Sequence, residues 1–127
     1  MKNFEQIRAK NALAWKDKIG KGKGDGENVA KKVPVMILDN GIIAAAAFAQ
    51  EKGEGYVDVF KAIICHLKDD DVCLLENSFF PDNLKGFITH LAASSSSELR
   101  LITAETIAFL NYLRRFVKKE KKDKNDA

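Results

Sequence analysis

Cysteine, proline and histidine are nearly absent from this chain of 127 residues, with two of each. The two thiols, Cys65 and Cys73, cannot form the disulfide framework of a small secreted domain. No apolar segment leading to a small-residue cleavage site follows Met1, so free thiols in a reducing, cytoplasmic setting are expected. His66 and His90 belong to no His-x-x-x-His or Cys-x-x-Cys ligand set. Cys65 beside His66 is not a dyad by adjacency, since nucleophile and base must meet in space. Both histidines are therefore expected at surface or half-buried structural positions. The longest strongly apolar stretch, Val33 to Ala49, is interrupted by Asp39, Asn40 and Gly41. It falls short of the roughly 20 residues a bilayer requires, and no membrane association is expected. Sustained period-two alternation is missing too, which argues against a sheet.

What remains has ordinary globular composition, 46% hydrophobic and 31% charged, at a length suited to one domain. Residues 2–19 place Phe4, Ala12, Trp15 and Ile19 on one helical face. Four glycines between Gly20 and Gly26 end that helix in a loop. Glu27 to Gln50 is the most apolar piece and is read as the central helix, with a break expected near Lys32 to Pro34 because proline lacks an amide. Gly41 inside it signals either close approach of a neighbour or a helix junction capped by Asn40. Val57 to Leu67 carries one apolar stripe, a helix is expected from Pro81 or Asp82 through Leu91, Ser94 to Ser97 reads as a linker, and a terminal helix runs from Thr103. The expected fold is all-α, a single-domain bundle of about six helices over residues 1–117, with a charged tail at 118–127.

No segment announces catalysis. The glycine loop fits neither the P-loop nor Gly-x-Gly-x-x-Gly, and no strand precedes it. Asp69-Asp70-Asp71 would converge on Mg²⁺ only in a shaped loop, so a cap for the following helix is the simpler role. Ser94 to Ser97 lacks the setting of a nucleophile elbow. Neither a cofactor nor a resident metal is expected.

Charge is more informative. Residues 1–34 hold nine Lys/Arg against four Asp/Glu, and residues 100–127 hold eight against four, whereas 35–99 holds four against ten. If the fold brings the two ends together, they form one face for a polyanion. On the terminal helix Asn111, Arg115, Lys118 and Lys122 stack along one side, beside a row of Arg114, Lys118 and Lys121. Such a ridge suits phosphates, although a merely solvated helix face has the same pattern. Arg8 lies inside the stripe of the first helix that should face the core. An unpaired guanidinium there costs several kcal/mol, so it needs a carboxylate, with Glu105 the first candidate, or else a bound anion or partner.

Three segments carry a resemblance. Lys31-Lys32-Val33-Pro34-Val35-Met36-Ile37-Leu38-Asp39-Asn40-Gly41 resembles the Lys-Lys-x-Pro-x-x-Ile-x-x-Asn-Gly segment of the small α-helical subunit of the type III-B CRISPR effector, the Cmr complex. Arg100, Thr103 and Glu105 fit that family's Arg-x-x-Thr-x-Glu motif, Leu110, Leu113, Arg115 and Phe116 fit the helix after it, and Arg8-Ala9 fits its N-terminal signature. Tyr112 stands where tryptophan is expected, and the glycine loop is richer in glycine than the family pattern. The resemblance implies a non-catalytic antiviral subunit stacked, with further copies of itself, along the crRNA–target RNA duplex beside backbone and large Cmr subunits. On that reading Arg8, Lys31, Lys32, Arg114, Arg115 and Lys118 contact the target RNA backbone, while Asn40, Gly41, Arg100, Thr103 and Glu105 serve structure or interfaces. Two other classes stay open: a metal-dependent RNA nuclease using Asp69 to Asp71 with His66, and a protein-only adaptor presenting Phe79, Phe80 and Phe87.

Overall fold

The computed structural model describes residues 3–20 and 26–117. The described residues hold six helices and no strand: α1 Phe4–Trp15, α2 Gly26–Asn40, α3 Ile42–Lys52, α4 Glu54–Leu67, α5 Leu84–Ala93 and α6 Ser96–Phe116. The fold is the expected all-α bundle in a single domain. The tail at 118–127 and most of the glycine loop lie outside the described residues.

Side-chain caps explain where several helices begin. Asn3 and Gln6 form a reciprocal capping box at α1. Asn83 accepts from the Gly86 amide and starts α5 later than the expected Pro81 or Asp82. Ser95 accepts from the Glu98 amide, so α6 starts within the serine run instead of at Thr103. The first helix is shorter than expected, ending at Trp15 before a turn through Gly20. Phe4 is half exposed, and Ile7 is buried near that end instead.

The apolar stretch 27–50 is two helices, and its break differs from the expected one. Pro34 is buried inside an unbroken α2. The chain turns at Gly41, whose φ of 93° is a region L side chains rarely adopt. Gly41 itself is the N-cap residue of α3 without any side-chain cap bond, so Asn40 does not cap it. Nor is this stretch the centre of the bundle. Val35, Leu38 and Phe48 remain exposed, whereas α4 packs against all five other helices. Eight residues of α4 are buried, among them Val59, Phe60, Ile63, Ile64 and Leu67. High apolar content in 27–50 reflects small alanines that let α3 approach its neighbours, not enclosure on every side: Ala45, Ala46 and Ala49 are buried and Ala44 and Ala47 are exposed.

Between α4 and α5, residues 68–83 are irregular. The Leu74 and Leu75 amides both donate to the Leu67 carbonyl, and Lys68 Nζ donates to the Phe79 carbonyl at 2.6 Å. The acidic triplet therefore caps no helix. Asp69 instead accepts from the Asp71 amide within the turn. The three phenylalanines do not form an exposed patch, because Phe87 is fully buried, Phe79 packs edge-on against it, and Phe80 alone faces solvent. Among the described residues no helix is long and apolar enough to cross a membrane.

Candidate nucleic-acid interface

Arg8 on α1 and Glu105 on α6 meet through two bonds, Nε to Oε2 and Nη2 to Oε1, both 2.8 Å. This is the pair anticipated for a guanidinium in an apolar stripe. The fork geometry matches a carboxylate and is stronger than a single contact. The same Glu105 Oε2 lies 2.8 Å from His66 Nε2 on α4. The His66 ring is buried and stacked on Phe109, with centroids 4.4 Å apart and planes 12° from parallel. On its other side His66 Nδ1 is 2.9 Å from Asn11 Nδ2, which also donates to Asp69 at 3.1 Å. An amide nitrogen only donates, so Nδ1 accepts and the proton sits on Nε2, directed at Glu105. Burial alone would raise the Glu105 pKa, but the Arg8 guanidinium and the His66 N–H bonds hold its carboxyl down at about 2. The network ties α1, α4, α6 and the turn at Asp69 together.

Sequence reasoning missed His66 and Asn11 here, and the expectation of a surface or half-buried His66 is corrected. The signal was present: Val59, Ile63 and His66 recur at helical spacing on the buried face of α4. An imidazole there needs partners for both nitrogens.

The other anticipated cations are differently placed. Lys31 and Lys32 are exposed on α2, with Lys31 Nζ 3.4 Å from Glu27 one turn earlier. Arg115 and Asn111 are exposed on one side of α6, and Arg114 is half-buried beside them. Lys118 lies outside the described residues. A side chain built at Gly26 would collide with the Ile19 carbonyl oxygen and reach Val117 Cγ1 at 3.4 Å. The end of the N-terminal segment, the start of α2 and the end of α6 therefore meet. Arg114 and Arg115 immediately precede that junction, and Lys31 lies roughly 7.5 Å along α2 from it.

Of the residues expected at interfaces, Arg100 and Asn40 are exposed. Thr103 Oγ1 donates to the Leu99 carbonyl within its own helix. The acidic triplet borders an open depression of about 440 Å³ together with Lys10, Lys68 and Asn77. Asp69 serves Asn11 and the Asp71 amide, and Asp70 accepts from Asn77. Burial pushes the neighbouring Cys65 thiol up in pKa, away from the reactive thiolate. Among the described residues no group of three or more His, Cys, Asp or Glu side chains is arranged to hold a metal ion.

A family model described as Cas_Cmr5, CRISPR-associated protein, matches residues 4–120. No curated protein and no solved structure matches the chain.

Proposed function

Because the chain belongs to the Cas_Cmr5 family of CRISPR-associated proteins, and is thus a small subunit of the type III-B Cmr complex, we propose that it acts there as a non-catalytic RNA-contacting component in cytoplasmic antiviral defence. Other Cmr subunits and further copies of this chain would be its neighbours, and crRNA with target RNA its polyanion. The observation that supports an RNA role is the meeting of the start of α2 with the end of α6 at Gly26 and Val117. It draws Lys31, Lys32, Arg114 and Arg115 from two basic segments toward one end of the bundle. Positive groups on a helical surface bind phosphates without reading bases, and each neutralised phosphate releases counterions. Arginine suits this task because its planar fork spans two phosphate oxygens. Arg8 is assigned a structural role within this proposal, since its Nε and Nη2 both serve Glu105.

Target RNA loading onto complexes reconstituted with the Arg114→Glu/Arg115→Glu variant tests the reading. Loss of two phosphate contacts should weaken loading and flatten the dependence of log affinity on log salt by about 1.5. Unchanged loading at every salt concentration removes these arginines from the interface.

A further inference from the structure

The outer face of α2 has no neighbour among the described residues. Lys31, Lys32, Val35, Leu38 and Asp39 are all exposed there and fall within an arc of roughly 120° at 3.6 residues per turn. Val29, Ala30, Val33, Pro34 and Ile37 are buried on the other side. Val35 is 55% and Leu38 70% exposed, a large fraction for aliphatic side chains. The face changes sign along its length, with lysines before Val35 and an aspartate after it. Lys31 and Asp39 are equally distant from Val35 in sequence, as are Lys32 and Leu38.

We propose that this face is a two-fold contact between copies of this chain. A two-fold axis through Val35, with the two α2 helices antiparallel, sets Lys31 of each copy opposite Asp39 of the other. It lays the Lys32 stem over Leu38 and packs Val35 on itself. This is the arrangement of an apolar seam flanked by opposite charges that antiparallel helix pairs use, and it is isologous, so it closes at two copies. Copies stacked in a row along an RNA would instead meet through unlike faces. The Lys31 contact to Glu27, 3.4 Å from an exposed ammonium to a half-buried carboxylate one turn earlier, is weak and leaves the ammonium available for sharing. A single helix pair buries less than the roughly 1,200 to 2,000 Å² of stable complexes, so a Kd on the order of 100 μM is expected. Phosphate bound at Lys31 and Lys32 would compete with this contact, so it belongs to the chain free of RNA.

Sedimentation equilibrium of the purified full chain between 20 μM and 1 mM at low salt, both concentrations set about this Kd, tests the proposal. A monomer–dimer equilibrium that weakens with added salt is expected. Lys31→Glu should weaken it about tenfold by opposing like charges, Leu38→Glu should abolish it, and Lys31→Glu/Asp39→Lys should restore it to within about threefold of the original. All these positions are exposed, so circular dichroism should be unchanged. A monomer across the whole range, or a dimer indifferent to every variant, overturns the proposal.

Discussion

Glu105 is one carboxylate serving two partners from two other helices, and its ionisation is coupled to folding. Its folded pKa of about 2 lies below the ordinary 4.5. The stabilisation it supplies is therefore complete above pH 4.5 and is lost as pH falls toward 2. Arg8→Met removes the cation and leaves a largely buried carboxylate beside His66. We expect a loss of about 3 kcal/mol at neutral pH, seen in urea denaturation, together with a shallower decline in stability through the acid window. An unchanged midpoint at neutral pH would show that the Arg8 pair is not structural. The pairing of Arg8 with Glu105 could be anticipated because a charge at an apolar helix position must be answered by an opposite one. His66 was harder to place. Its partners Asn11 and Glu105 lie 55 and 39 residues away, and nothing local in α4 marks such distances.

Among the elements, the α2–α3 junction shows most clearly how local sequence and tertiary packing divide the outcome. Asn40-Gly41 ends one helix and begins the next because glycine tolerates a φ of 93°, whereas Pro34 is accommodated within α2 at the loss of one amide donor. Gly41→Ala meets no steric obstacle, since nothing lies within 4 Å of the added carbon. Its effect is thus purely conformational, and a loss of about 1 to 2 kcal/mol is expected, measurable by thermal unfolding. No change would mean that the junction relaxes to a different turn. Helical type was legible from 3.6-residue periodicity, although 27–50, read as one helix broken near Pro34, is in fact α2 and α3. Helix starts were less so, because Asn83 and Ser95 act through single side-chain bonds that compete with nearby alternatives such as Pro81 or the later Thr103. The central position of α4 was illegible for another reason. Apolar content is greatest in 27–50, but burial depends on how many neighbours surround a helix, and α4 meets all five others.

For the molecule as a whole, the placement of charge connects fold to function. The basic excess of residues 1–34 and 100–127 would be inert if the segments diverged. The contact of Gly26 with Ile19 and Val117 draws their described portions together. A shared basic face needs such convergence, and α1 and α2 both pack against α6. The separate cations were not equally legible: Arg115 is exposed as helical spacing on α6 indicated, and Lys31 and Lys32, named from the family resemblance, are exposed too, while Arg8 is held by Glu105 and Arg114 is half-buried. The most direct test is ultraviolet crosslinking of assembled Cmr complexes to target RNA, followed by mapping of the crosslinked peptides of this subunit. Crosslinks should concentrate in the peptides holding Lys31 and Lys32 and those holding Arg114 and Arg115. Crosslinks confined to the acidic 68–83 segment, or none to this chain in fully loaded complexes, would contradict the account.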